Sequence, residues 1–100
     1  MYLAGVPDKP AINQERLRAF VAQESRVWGA NVRNRRQLLG WSLKELAEKV
    51  GTTPQTLHKV EQGEIRSRDH LRLAIAIALM DDVSRLFPMP KMDVILKAVA

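Results

Sequence analysis

Between Gly40 and Gly63 the chain carries helix starts and stops so closely spaced that only two short helices fit between them. Gly40 ends one helical stretch, because a glycine accepts the left-handed backbone that closes a helix. Ser42-Leu-Lys-Glu45 then has the form of a capping box: the serine oxygen takes the amide of Glu45, and the glutamate returns to the serine amide. The helix it opens, Leu43–Val50, directs Leu43, Leu46, Ala47 and Val50 inward, and Gly51 stops it. Thr53 caps the next helix. Pro54 occupies its first turn, where a missing amide costs nothing. Leu57 and Val60 point inward from Pro54–Gln62, and Gly63 stops that helix in turn.

The flanking segments are read by the same signals. Residues Met1 to Ile12 hold Gly5, Pro7 and Pro10 without a period and read as a loose arm. Asn13 caps a helix starting at Gln14, with Leu17, Phe20, Val21, Glu24 and Trp28 on one face and Val32 and Leu39 continuing the stripe. Either one helix runs from Gln14 to Leu39, or two helices meet near Ser25. Ser25 is a competent N-cap, which favours an extra helix near Gln14–Glu24 followed by Ser25–Leu39. Arg68–Leu79 is strongly apolar, Asp82–Phe87 is short, and Pro88 and Pro90 break the chain. Met92 to Val99 suits a final amphipathic turn or two, or a short strand. The resulting expectation is an all-α fold, with a unit at 25–87 preceded by an arm and extra helix at 1–24 and followed by a tail at 88–100.

Composition narrows the chemistry. A chain of 100 residues that is 46% apolar supports one modest core. The formal net charge of +5 points to a polyanionic partner. With no cysteine, disulfides, thiolate metal sites and thiol nucleophiles are excluded. The stretch MYLAGVPDKP lacks the basic start and apolar run of a secretory leader, and the longest apolar run, Leu73 to Met80, is far short of the roughly 20 residues of a membrane span. His58 and His70 have no metal-ligand partners at useful spacing, and Asp81 and Asp82 are adjacent and so cannot face each other as an acid–base pair. The expectation is a cytoplasmic non-enzyme without metal or cofactor.

The small Ala47, placed where two crossing helices approach, and Gly51 four residues later have the spacing of a DNA-binding helix-turn-helix. The ordered set Trp28-Gly29, Val32, Arg36, Gly40-Trp41-Ser42, Glu45-Leu46-Ala47, Val50-Gly51, Thr56 and Val60-Glu61-Gln62-Gly63-Glu64 resembles the Xre/Cro/C1-type repressors of phages and bacteria. The likeness extends through Ile75 to Leu79 and Val83 to Phe87, about 60 residues in all. It implies a five-helix lambda-repressor-like domain, here with an extra N-terminal helix, whose recognition helix is 54–62. It also implies that Arg36 and Glu61 form a structural ion pair. Two departures stand out: Pro54 and Leu43 occupy positions where the family often has a glutamine that contacts DNA.

With Leu57 and Val60 inward, Gln55, Thr56 and Lys59 are the expected base-reading residues, since glutamine pairs with adenine and lysine with guanine in the major groove. Ser42, Lys44, His58, Gln62, Arg66, Arg68 and Arg33 are expected on the DNA backbone, with Arg35 a further candidate. The expected partner is double-stranded DNA, bound by a homodimer joined through Leu86, Phe87 and the tail. Three roles fit: a repressor on a near-palindromic operator, an antitoxin of the same fold that binds a toxin protein and represses its own operon, or the N-terminal module of a longer regulator. The apolar tail residues Met89, Met92, Val94, Ile95 and Val99 suit a dimer contact, a protein-partner contact, or return to the chain's own core.

Overall fold

The computed structural model describes residues 11–100. The arm expected over Met1–Ile12 lies outside the described residues except for Ala11 and Ile12, which lead into the first helix. The described residues form α1 (Gln14–Leu38), α2 (Leu43–Val50), α3 (Pro54–Glu61), α4 (Asp69–Leu79), α5 (Val83–Leu86) and α6 (Met92–Val99), with no strand among them.

Asn13 starts α1, its side-chain oxygen accepting from the Arg16 amide at 3.0 Å. The helix then runs unbroken through Ser25, which overturns the expected division there. Ser25 does not cap. It is buried, and its hydroxyl donates to the Val21 carbonyl one turn back at 2.9 Å, a bond that satisfies the side chain without breaking the helix. At 25 residues α1 is about 37 Å long, the longest element of the fold.

The glycine and cap signals between residues 40 and 63 act as read. Ser42 and Glu45 form the reciprocal capping box, at 3.0 and 3.2 Å, and Gly51 takes a left-handed φ of 76°. Thr53 caps α3 through the Thr56 amide at 3.1 Å. One core unites the elements: Trp28 and Val32 from α1, Leu46 and Ala47 from α2, Leu57 and Val60 from α3, and Ile75, Ala76 and Leu79 from α4, closed by Leu86 and Phe87.

The C-terminal segment is a helix that returns to α1. Val99 is buried, its carbonyl accepts from the Asn13 amide at 2.7 Å, and Arg16 Nη1 donates to the Ala100 carbonyl at 2.7 Å. Leu86 and Phe87 are also buried within the chain, Phe87 standing edge-on to Trp28 at 5.5 Å. The expectation that Leu86 and Phe87 join two copies is therefore corrected: the ring that was to face a partner fills the protein's own core. Met89, Met92 and Val94 remain exposed.

Where α1 crosses α3, the approach is as close as backbones allow. A β-carbon at Gly29 would lie 2.4 Å from the carbonyl oxygens of both Val60 and Glu61. Neither is the movable end of a side chain, so relief requires α3 to shift. Gly29→Ala is expected to destabilise the fold by about 1–3 kcal/mol or more, as overpacking does, although alanine is the better helix former. A chemical denaturation curve checks this, and an unchanged midpoint would show that α1 and α3 separate freely.

Candidate nucleic-acid interface

Helix α3 is held from behind. Leu57 and Val60 are buried in the core, and beside them Glu61 carries a carboxylate whose side chain is 2% exposed. Such a charge is tolerated only if paired and hydrogen-bonded. Arg36 of α1 does both: its Nε donates to Glu61 Oε2 at 2.8 Å and its Nη2 to Oε1 at 2.9 Å. The third arm, Nη1, donates to the Trp41 carbonyl at 2.8 Å, in the turn before α2. One guanidinium thus fixes α1, α3 and the entry to α2. The hydrogen bonds that Arg36 donates to Glu61 raise the Arg36 pKa above the ordinary arginine value, against the opposing effect of burial.

This clamp decides what α3 presents outward. Gln55, His58 and Lys59 are exposed, as is Gln62 at the helix end. Gln55, Lys59 and Gln62 succeed one another at intervals of four and three, which places them on one stripe. Thr56 is half-buried. Its hydroxyl accepts from Thr53 at 3.0 Å, leaving its own proton for an outside acceptor. Pro54 stands at the first position of the helix, where φ suits proline and no base-reading side chain is present.

Around this stripe the cationic and polar candidates divide. Arg33, Lys44 and Arg68 are exposed, Arg68 as the N-cap of α4. Ser42 is exposed, with its amide given to Glu45; the amides of Leu43 and Lys44, in the first turn of α2, have no acceptor within the helix. Arg66 is different. Its guanidinium lies over the Trp28 ring at 3.7 Å from the centroid, and its Nη1 reaches Ser25 Oγ at 3.3 Å and the Val21 carbonyl at 3.4 Å. Burial, then the nearby charge of Arg72, lowers its pKa, while Glu24 acts the other way. Arg66 is an internal strut tying the loop after α3 to α1, and its expected placement against phosphate is corrected accordingly. Arg35, another phosphate candidate, is also turned inward: its Nε donates to the Leu79 carbonyl at 3.0 Å and its Nη2 to the Met80 carbonyl at 3.3 Å, closing the end of α4.

Residue spacing gives no sign of the Arg66–Trp28 stack or the Arg35 cap. Both join positions about 40 residues apart in sequence. Among the described residues no group of His, Asp and Glu is arranged to hold a metal ion.

Residues 32–80 match the sequence profile of the helix-turn-helix family. This segment is an Xre/Cro/C1-type helix-turn-helix domain. Two crystal structures of the clp gene regulator ClgR from Corynebacterium glutamicum resemble the chain, each at 28% identity over 63% of it. Their TM-scores are 0.60 and 0.61, and 82% and 67% of their own chains are covered. No curated protein matches the sequence. A helix-turn-helix domain of this type is that of a DNA-binding transcriptional regulator.

The clamp is testable without DNA. Arg36→Ala leaves the Glu61 carboxylate buried and alone, and is expected to cost about 3–5 kcal/mol. Arg33→Ala, at an exposed position, should change stability by less than about 0.5 kcal/mol. Thermal unfolding of the two variants side by side separates these outcomes; equal, small effects would mean that the Arg36–Glu61 pair carries no part of the fold.

Proposed function

We propose that the protein is a sequence-specific repressor of transcription, of phage or bacterial origin, acting in the cytoplasm on a near-palindromic operator that two copies occupy together. The observation that carries this reading is the exposed stripe Gln55, Lys59 and Gln62 on a helix whose opposite face is locked by Leu57, Val60 and the Arg36–Glu61 pair. A rigid helix with glutamine and lysine outward is suited to the major groove. There Gln55 accepts and donates on an adenine edge, and Lys59 donates to guanine O6 and N7. Thr56 contributes its remaining hydroxyl proton. Ser42, Lys44, His58, Gln62, Arg68 and Arg33 contact the sugar–phosphate backbone, which sets position and affinity without reading sequence. The net charge of +5 supports the same partner.

No described helix is long and apolar enough to cross a membrane. The antitoxin alternative draws on a free apolar tail for a toxin contact. It has the weaker support, because α6 lies on α1 with Val99 buried.

The reading and holding roles separate under salt. With an operator selected from random duplex DNA, Gln55→Ala or Lys59→Ala is expected to cost about 1–3 kcal/mol on that operator and to blur the preference at one or two base pairs. Arg68→Ala is expected to weaken operator and scrambled DNA alike. It should also flatten the logarithmic salt dependence by about one unit for each phosphate that a subunit no longer neutralises. Binding titrations of each variant across a salt series measure both. Equal weakening of both DNAs by Gln55→Ala would place that side chain on the backbone and remove α3 from the groove floor.

A further inference from the structure

The two short helices α2 and α3 begin in different ways. α2 opens with the reciprocal capping box of Ser42 and Glu45. At the start of α3 the cap Thr53 accepts the Thr56 amide on its hydroxyl oxygen at 3.1 Å, as a cap should. The return bond is missing, because Thr56 stands where a box has glutamate or glutamine and its side chain is too short to reach back to the cap amide. The two side chains meet at their hydroxyls instead: Thr53 donates to the Thr56 oxygen across 3.0 Å.

This meeting sets the polarity of the pair. A hydroxyl has one proton to give and two lone pairs to receive. Thr53 gives its proton to Thr56 and receives the Thr56 amide, so it is occupied in both roles. Thr56 receives from Thr53, and among the described residues its own proton has no acceptor. Two effects make that proton the active end. A hydroxyl that already accepts a hydrogen bond is polarised into a better donor. The positive end of the helix dipole, in whose first turn Thr56 lies, favours giving a proton toward an electron-rich atom over receiving a second one. Thr56 is half-buried and flanks the stripe of Gln55 and Lys59, so its hydroxyl is held in place while its proton remains accessible. Pro54, ahead of it, brings neither a polar side chain nor an amide proton.

We infer that Thr56 reads one base pair as a hydrogen-bond donor, and that Thr53 is the positioning residue that keeps its proton free for this. The edge selected is a keto edge, guanine O6 or thymine O4. Adenine and cytosine place an amino group at the corresponding points of the major groove, and that group offers Thr56 a second donor where it needs an acceptor. This rests on the reading above that the outer face of α3 lies in the major groove. It adds to that reading a base class at one position and a residue, Thr53, that acts without touching DNA.

The test measures binding of the full chain to its selected operator and to a set of operators changed one base pair at a time. The wild type is expected to favour a keto over an amino edge at one position by about two- to tenfold, the worth of one neutral hydrogen bond. Thr56→Val keeps the shape, removes the hydroxyl and should erase that preference alone. Thr53→Asp remains a good cap, so its melting temperature should stay near that of the wild type. Its carboxylate accepts the Thr56 proton, so the same preference should disappear. Added charge weakens binding to every operator alike and cancels in the ratio. Thr53→Ser should restore the wild-type pattern. In a Thr56→Val background, Thr53→Asp should change the ratio no further, which shows that it acts through Thr56. Thr56→Val with an unchanged preference at every position would put its hydroxyl on phosphate or in solvent and overturn the inference. So would a Thr53→Asp effect that persists without the Thr56 hydroxyl. Gln55→Ala in the same operator set keeps the two readings apart: a pattern altered by Gln55→Ala and untouched by Thr56→Val defeats only this inference, whereas a wild type that selects no sequence defeats both.

Discussion

The buried ion pair between Arg36 and Glu61 is the constraint on which the rest of this structure depends. A carboxylate in the crossing of α1 and α3 would be expelled by its desolvation cost if it were alone. It is held because Arg36 answers both oxygens and spends its third arm on the Trp41 carbonyl, so the charge is neutralised and three elements are tied at one point. The value of such a pair lies in geometry more than in net stability, since an apolar substitute of equal volume can match its energy. The crossing it secures is tight enough to require Gly29, where the carbonyls of Val60 and Glu61 fill the space of a β-carbon. The roll of α3 about its own axis, and so the identity of its outward residues, follows from this contact.

α1 serves as the spine to which most later turns are fastened. Trp28 Nε1 donates to the Pro88 carbonyl at 2.8 Å, Asn31 to the Leu86 carbonyl at 3.0 Å, and Arg35 to those of Leu79 and Met80. Residues 28, 31 and 35 share one helical face. Their acceptors lie at or just past the ends of α4 and α5, where carbonyls lose their helical partners. The side chains of one long helix thus satisfy the loose ends of shorter ones, which is how a four-residue helix such as α5 persists in a folded chain. Arg66, stacked on Trp28 and bonded to Ser25, does the same for the loop after α3.

These attachments sort the arginines by task. Arg35, Arg36 and Arg66 are turned inward, and Arg33 and Arg68 are left outward. The excess positive charge therefore overstates the cationic surface open to a polyanion. In the proposed complex with DNA, fewer charges than composition suggests would meet phosphate, and α3's polar stripe would take a correspondingly larger share.

Sequence alone determined the elements whose signals are local. The capping box at Ser42 and Glu45, the stops at Gly51 and Gly63 and the Thr53-Pro54 start act within four residues, so α2 and α3 and their inward positions Leu46, Ala47, Leu57 and Val60 were legible before any fold was known. The Arg36–Glu61 pair was legible only through family resemblance, because nothing local links positions 36 and 61. Tertiary structure decided the rest. Ser25 is a good cap in isolation, but packing buries it mid-helix, where its hydroxyl bonds one turn back and α1 continues. Phe87 read as an exposed anchor because its distance along the chain hides its contact with Trp28. Met80 read as the end of an apolar run, and only the folded backbone places it in a left-handed conformation with its side chain outside. Caps and turns are set by neighbours in sequence; burial, and the direction a long side chain takes, are set by neighbours in space.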